Sequence, residues 1–134
     1  MIVVDTNVIG YTLLASERSR LAEQALVIDS EWAAPMLWRS EFRNVLTQYL
    51  RNDRLEFNDC LRIMDTAAAL VGGREFIVQA GRVLELVASS TCSAYDCEFI
   101  ALAQDLGVPL VTVDRQVLNN FPADAIDLTE FVRK

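Results

Sequence analysis

The chain of 134 residues carries 12 basic and 19 acidic side chains, a net charge of −7 at pH 7, and it contains no histidine. These numbers exclude a Ser-His-Asp triad, a Cys-His nucleophile pair and a histidine-ligated zinc, copper or iron site. They also exclude a protein that holds nucleic acid by a large net positive charge. Because 52% of the residues are apolar, we expect residues 1–134 to bury a core as a single domain.

Cysteine usage and charge spacing predict the location of the protein. The cysteines Cys60, Cys92 and Cys97 form no CxxC pair and are odd in number, which favours a reducing compartment. The longest charge-free stretch, residues 6–16, is too short for a membrane span. Residues 1–5 show no basic region of a signal peptide. We therefore expect a cytoplasmic protein without a membrane segment.

Apolar runs and helical periodicity alternate along the chain. The predicted elements are a strand at 2–4, helices at 7–15 and 17–28, a strand at 32–34, helices at 37–51 and 57–71, a strand at 75–78, helices at 79–89 and 95–106, a strand at 110–113, a short helix or turn, and a strand at 125–128. The strands are continuous apolar runs, which is typical of a parallel sheet buried on both faces. The sequence therefore predicts an α/β sandwich.

Two predicted helices have a clear apolar face. In the helix at 17–28 this face comprises Leu21, Ala25 and Ile28. In the helix at 37–51 it comprises Trp38, Phe42, Val45 and Tyr49. Such a face packs in a core or at a dimer interface, so we expect this role for the aromatic side chains rather than base stacking.

Two predicted strands end in an aspartate. Asp5 follows the first strand, and Asp114 follows the strand at 110–113. The carboxyl ends of parallel strands meet at one edge of a sheet, where ligands bind. Either residue alone has a structural interpretation, because aspartate is common in turns and at helix N-caps. Their equivalent positions favour a shared site.

Two further acids lie on the inner side of predicted helices. Asp96 precedes Ile100 and Ala103 by four and seven residues, which places it on an apolar face. Its structural interpretation is helix capping, since Ser93 stands three residues before it. Glu41 borders the apolar face of its own helix, where the alternative is an ion pair on the helix flank. Glu98 is expected to point to solvent.

Four converging carboxylates have one plain chemical use. Like charges at close range repel, and a hard divalent cation removes the conflict. Mg²⁺ or Mn²⁺ prefers oxygen ligands and supports hydrolysis of phosphodiesters without histidine. Asn7 and Thr112 are oxygen donors of the kind that orient such ligands.

The ordered motifs resemble the PIN-domain family and, in size, its VapC-type toxin ribonucleases. The motifs are Met-Ile-Val-Val-Asp5-Thr6-Asn7, a helical Glu41, Ser93-Ala-Tyr95-Asp96 and Leu-Val-Thr112-Val-Asp114. The resemblance covers nearly the whole chain. It implies a three-layer α/β/α sandwich with a central parallel sheet of about five strands, and an Mg²⁺- or Mn²⁺-dependent endoribonuclease that cleaves RNA.

The resemblance also implies roles for individual residues. Asp5 and Asp96 match metal ligands, Asp114 holds the metal directly or through water, and Glu41 orients the attacking water or a second ion. Supporting polar positions are matched by Thr6, Asn7 and Thr112. Because members of the family often dimerise and many are neutralised by a VapB-type antitoxin, the resemblance further implies a homodimer and an antitoxin whose tail covers the acidic cleft.

Other functions remain open at this point. A PIN-like module that binds a metal for regulation and cuts nothing is the main alternative. A receiver domain needs a lysine near its acids, whereas the one lysine is Lys134. A haloacid-dehalogenase phosphatase needs a second acid two residues after Asp5, where Asn7 stands. Arg39 and Arg43 could hold RNA phosphates near Glu41, although a solvated basic face is the favoured interpretation.

Overall fold

The structure, a computed structural model, describes residues 1–134 and contains five strands and eight helices. In chain order they are β1 (Ile2–Val4), α1 (Thr6–Leu13), α2 (Ser19–Ile28), β2 (Trp32–Pro35), α3 (Trp38–Arg51), α4 (Phe57–Val71), β3 (Glu75–Phe76), α5 (Ala80–Ala88), α6 (Ala94–Leu106), β4 (Leu110–Thr112), α7 (Arg115–Asn120), β5 (Ala125–Asp127) and α8 (Leu128–Arg133). None of the helices is both long and apolar enough to span a membrane.

The strands form one parallel sheet in the order β3-β2-β1-β4-β5. Helix α6 packs on β1, β2 and β4 and contacts α5, while α1 contacts α2, α3 and α4. The predicted three-layer α/β/α sandwich with a five-stranded parallel sheet is therefore confirmed. The central strands β1 and β4 are buried along their whole length, as continuous apolar runs require.

The apolar face of α3 anchors this helix to the rest of the core. Trp38 and Phe42 are fully buried, and their rings are 6.1 Å apart. On α2, Ala25 is buried as predicted, whereas Ile28 is about half exposed. The predicted face of α2 is thus wrong at its last residue, because the helix ends there and its side chain lies beyond the packed part.

Three strands are shorter than predicted, and one of them, β4, ends only one residue early, at Thr112. The third strand ends at Phe76, and Ile77 is 90% exposed, so apolar character alone did not place it in the sheet. The last strand ends at Asp127, whose carboxylate accepts a hydrogen bond from the N–H of Thr129 and caps α8. Helix α8 was not predicted, although an aspartate followed three residues later by Glu130 is a helix-start pattern.

Candidate active site

Asp5 and Asp114 each stand between a strand and a helix. They lie at the same edge of the sheet, because β1 and β4 are adjacent and parallel. Asp5 accepts a hydrogen bond from the N–H of Asn7 at 3.3 Å, and Asp114 accepts from the N–H groups of Gln116 at 2.9 Å and Val117 at 3.2 Å. Both aspartates therefore cap helices, and capping and a shared site prove to be compatible.

The structure brings all four predicted acids to one cleft of about 250 Å³. Glu41 reaches it from the first turn of α3 and Asp96 from the first turn of α6. The Ser93 hydroxyl accepts the N–H of Asp96 at 3.1 Å, so Ser93 caps this helix, as the sequence pattern predicted. The lining residues are Asp5, Thr6, Asn7, Glu41, Asn44, Val45, Asp96 and Asp114.

Two threonine hydroxyls hold the carboxylates in place. Thr112, which is fully buried on β4, donates to Oδ2 of Asp5 at 2.7 Å and accepts the N–H of Asp114 at 3.1 Å. Thr6 donates to Oε1 of Glu41 at 2.7 Å and thereby joins α1 to α3. Because each threonine connects two elements, the hydroxyls orient the acids and also fix the distances between the elements.

The electrostatics of the cleft oppose ionisation of its acids. Burial raises the pKa of Asp5, and the charges of Asp96 and Asp114 raise it further against the hydrogen bonds from Thr112 and Asn7. Burial and the charge of Asp114 raise the pKa of Asp96. For Glu41, burial raises the pKa and the hydrogen bond from Thr6 lowers it, with smaller raising contributions from neighbouring acids. The cleft therefore concentrates negative charge that nothing in the chain neutralises.

No arginine of the protein forms an ion pair with these four carboxylates. Arg39 instead pairs with Glu75 on β3, with its Nε 2.7 Å from Oε1, so the idea that it holds RNA phosphates is not supported. Arg43 is exposed and donates to Ser40 at 3.1 Å. The ion-pair interpretation of Glu41 is therefore wrong, since its partner is the hydroxyl of Thr6.

The donor set fits a hard divalent cation in its chemistry. The cleft offers carboxylate, amide and hydroxyl oxygens, and it has neither the histidine nor the thiolate ligands that softer metals prefer. The structure contains no preformed site in which three or more acidic side chains surround a position for an ion. The residues thus fit Mg²⁺ or Mn²⁺ by charge and donor type.

Two neighbours of the cleft differ from expectation. Glu98 was expected to point to solvent, but it is half-buried beside the apolar groove of Met36, Phe76 and Val83, and burial raises its pKa. That prediction is wrong because α5 and the end of β3 cover its side of α6. Asn44 was missed, although its position three residues after Glu41 places both on one side of a helix.

The PIN-domain family profile matches residues 2–122 of this chain. The chain belongs to the PIN-domain family. Among its relatives, Ribonuclease VapC3 of Pyrobaculum aerophilum is 28% identical over 135 residues, which cover 91% of this chain and 95% of the relative. The resemblance inferred from the motifs is therefore confirmed for nearly the whole chain.

Solved structures show the same PIN-domain fold. The crystal structure of PAE2754 from Pyrobaculum aerophilum superposes with a TM-score of 0.76 at 21% identity, over 98% of this chain and 94% of that chain. A toxin–antitoxin complex from Klebsiella pneumoniae contains a chain with a TM-score of 0.67 at 19% identity, over 96% of this chain and 98% of that chain. At these identities the two superpositions show that the fold is shared.

Proposed function

We propose that this PIN-domain protein is an Mg²⁺- or Mn²⁺-dependent endoribonuclease and the toxin of a toxin–antitoxin pair. The observation that carries the proposal is the single cleft in which Asp5, Glu41, Asp96 and Asp114 meet without a neutralising arginine. The similarity to Ribonuclease VapC3 supports ribonuclease activity. The structural neighbour from a toxin–antitoxin complex supports the toxin role.

In this proposal Asp5, Asp96 and Asp114 would hold the cation, which polarises water and offsets charge that develops on the phosphate. Water adds to phosphorus, one P–O bond breaks, and the products are a phosphomonoester and a hydroxyl. Thr112 keeps Asp5 aligned through its 2.7 Å hydrogen bond. Glu41 uses Oε1 to accept from Thr6, so we assign its other oxygen to orienting the attacking water.

The test compares two isosteric changes of an aspartate to asparagine. Asp5→Asn removes a carboxylate of the cleft, whereas Asp65→Asn removes an exposed carboxylate on α4. Both purified proteins are incubated with RNA and Mg²⁺ or Mn²⁺, and the new RNA ends are sequenced. We expect cleavage to fall by at least about 10³-fold in Asp5→Asn, because water activation is lost, and to stay unchanged in Asp65→Asn.

The same experiment separates the alternatives. Equal cleavage by Asp5→Asn and the parent would place the activity elsewhere. A parent that binds Mg²⁺ but cleaves no RNA would be the non-catalytic PIN-like module. Induction of the parent and of Asp5→Asn in cells extends the test to toxicity and to the RNA target.

The proposal includes two protein partners. The first is a VapB-type antitoxin in the cytoplasm, supported by the toxin–antitoxin neighbour. Co-expression of a short open reading frame next to the gene should then restore growth.

The second partner is another copy of this chain. The groove between α3 and α4 exposes Leu50, Phe57 and Leu61, an apolar surface that a homodimer would bury. Sedimentation of the purified chain should then give twice the 15.0 kDa monomer mass.

A further inference from the structure

One polar row of α3 leads away from the cleft. Asn44, Gln48 and Arg51 follow Glu41 at three, seven and ten residues, so the four positions lie along one side of the helix. Asn44 belongs to the cleft lining, and all three side chains are exposed and make no hydrogen bond or ion pair within the chain. We call Asn44, Gln48 and Arg51 the α3 ridge.

The charge of α3 differs from that of the whole protein. The helix contains three arginines and one acid, Glu41, and because Arg39 is paired with Glu75, the unpaired charges of α3 sum to +1 in a chain of net charge −7. By contrast, α6 on the other side of the cleft has three acids and no basic residue. A polyanion that reaches the cleft therefore meets repulsion along α6 and donors along α3.

We propose that the α3 ridge binds the single-stranded part of the RNA substrate next to the cleaved phosphate. This inference rests on the proposed ribonuclease function and adds the path that the RNA strand takes across the protein surface. Ten residues of helix span about 15 Å, which corresponds to about four nucleotides at the stacked spacing of ~3.4 Å. The amides of Asn44 and Gln48 donate to phosphate or base edges near the cleft, and Arg51 forks onto a phosphate at its far end.

The ridge explains how RNA could bind next to an acidic cleft. The lining of the cleft contains four carboxylates and no basic side chain that could bind a phosphate. Affinity for RNA therefore has to come from a neighbouring surface as well as from a bound metal ion. The ridge starts at the cleft and carries no acid after Glu41, which gives the strand a continuous route. An arginine close to the cleft would form an ion pair with Asp5 or Asp96. The ridge prevents this, because its donors near the carboxylates are neutral and its arginine lies about 15 Å away.

The test uses matched charge changes in the full chain. Arg51→Glu and Arg20→Glu each replace an exposed, unpaired helical arginine and change the net charge equally, but Arg20 lies on α2 away from the cleft. Each change is made with Glu41→Gln so that RNA is not consumed, because this change removes the group assigned to orienting water and keeps the three aspartates proposed to hold the ion. Binding of a fluorescent single-stranded 12-nucleotide RNA is then measured by anisotropy with Mg²⁺. We expect Arg51→Glu to weaken binding about tenfold or more and Arg20→Glu less than twofold.

Milder changes keep the result interpretable if Arg51→Glu disturbs the last turn of α3. Arg51→Gln should lower the slope of log K against log salt concentration by about 0.7, the value for one lost phosphate contact on a single strand. Gln48→Ala should weaken binding without changing that slope, whereas Gln24→Ala on α2 should do neither. Thermal melting of every variant reports whether the fold is retained.

The outcomes separate this inference from the proposed function. A parent that fails to cleave RNA while the Arg51 and Arg20 changes still differ in binding would reject the nuclease and keep the ridge. Equal effects of Arg51→Glu and Arg20→Glu, or no RNA binding at all, would overturn the ridge. Unchanged RNA binding with weakened antitoxin binding would overturn it too and assign this face to the protein partner.

Discussion

Thr112 is the residue on which the cleft geometry depends most. Its hydroxyl is fully buried, donates to Asp5 and accepts the N–H of Asp114, so one side chain aligns acids from two strands. Thr112→Val keeps the shape and removes both hydrogen bonds. We expect cleavage to fall about 10–100-fold, the usual effect of losing a group that orients a ligand.

Two comparisons distinguish this effect from a loss of stability. Thr12→Val removes a half-buried hydroxyl on α1 that donates to the carbonyl of Ile9 at 2.7 Å, far from the carboxylates of the cleft lining. It should lower the melting temperature but not the cleavage rate of the folded protein. Thr112→Ser, which restores the hydroxyl, should recover most of the activity. Full activity in Thr112→Val would show that Asp5 needs no alignment.

The raised pKa of Asp96 predicts that the cleft reduces the stability of the fold. Burial and the charge of Asp114 raise its pKa, so its ionised form is disfavoured in the folded protein relative to the unfolded chain. That penalty is present above the raised pKa and disappears as the pH falls below it. In EDTA at pH 7 we expect Asp96→Asn to melt a few degrees higher than the parent while cleaving no RNA.

Melting curves at several pH values check the sign of this effect. The advantage of Asp96→Asn should shrink as the pH falls towards 4, because the parent then becomes neutral at the same position. Asp65→Asn, on the exposed face of α4, should melt like the parent throughout. A lower melting temperature for Asp96→Asn in EDTA would contradict the idea of uncompensated repulsion.

At the scale of the elements, α3 positions Glu41 through its buried aromatic residues. Phe42 is fully buried, and its ring lies against Gly10 of α1, where a Cβ atom would be 3.6 Å from Cε1 of the ring. We expect Phe42→Ala to lower the free energy of unfolding by ~3–5 kcal/mol. It should also reduce cleavage under conditions in which the protein is still folded, because α3 then shifts relative to Thr6.

Chemical denaturation and single-turnover cleavage measure the two effects separately. Phe42→Leu should give an intermediate loss of stability, since it leaves a smaller cavity. Leu84→Ala, a similar truncation at an exposed position on α5, should change neither quantity by a measurable amount. If Phe42→Ala lost stability but kept full activity in the folded protein, packing would not position Glu41.

The elements with long apolar runs or a clear apolar face were predicted from the sequence, whereas the end of β3 and the short helix α8 were not. The apolar runs of β1 and β4 and the face of α3 with Trp38 and Phe42 carry strong periodic signals, and these were predicted. The strand that ends at Phe76 and helix α8 depend on backbone pairing and on the cap at Asp127. Such hydrogen bonds leave only a weak trace in composition.

The candidate site shows the same division. Asp5 and Asp114 were found because parallel strands bring their carboxyl ends together. The half-buried state of Glu98 was missed, because it depends on how α5 packs beside α6, which no pattern within α6 reveals. Asn44 was missed because an exposed amide has no periodic signal of its own. The functional roles of the four acids remain a prediction.

At the scale of the whole molecule, the net charge of −7 and the acidic cleft predict that RNA binding depends on a metal ion. Without a divalent ion, the four carboxylates repel phosphate within the screening length of ~8 Å at physiological salt. We expect EDTA to weaken binding of the 12-nucleotide RNA by Glu41→Gln at least tenfold relative to Mg²⁺, because this variant keeps the three aspartates proposed to hold the ion. Sodium chloride is added to equalise the ionic strength, so that screening alone does not explain the difference.

Asp96→Asn with Glu41→Gln provides the comparison for this measurement. With two of the four carboxylates neutral, the metal-free protein should bind RNA more tightly than the metal-free single variant. Binding to the metal-stripped protein as tight as to the loaded one would contradict the dependence on metal. It would mean that the surfaces outside the cleft dominate the affinity.

The hydrogen bond between Thr112 and Asp5 joins residues that are 107 positions apart in the chain. During synthesis this hydrogen bond can form only once β4 has emerged, and the cleft assembles only after Asp114 has left the ribosome. At 5–20 residues per second, that delay after Asp5 emerges is about 5–20 seconds. In the proposed nuclease, the nascent chain would therefore stay inert towards the surrounding RNA until Asp114 has emerged.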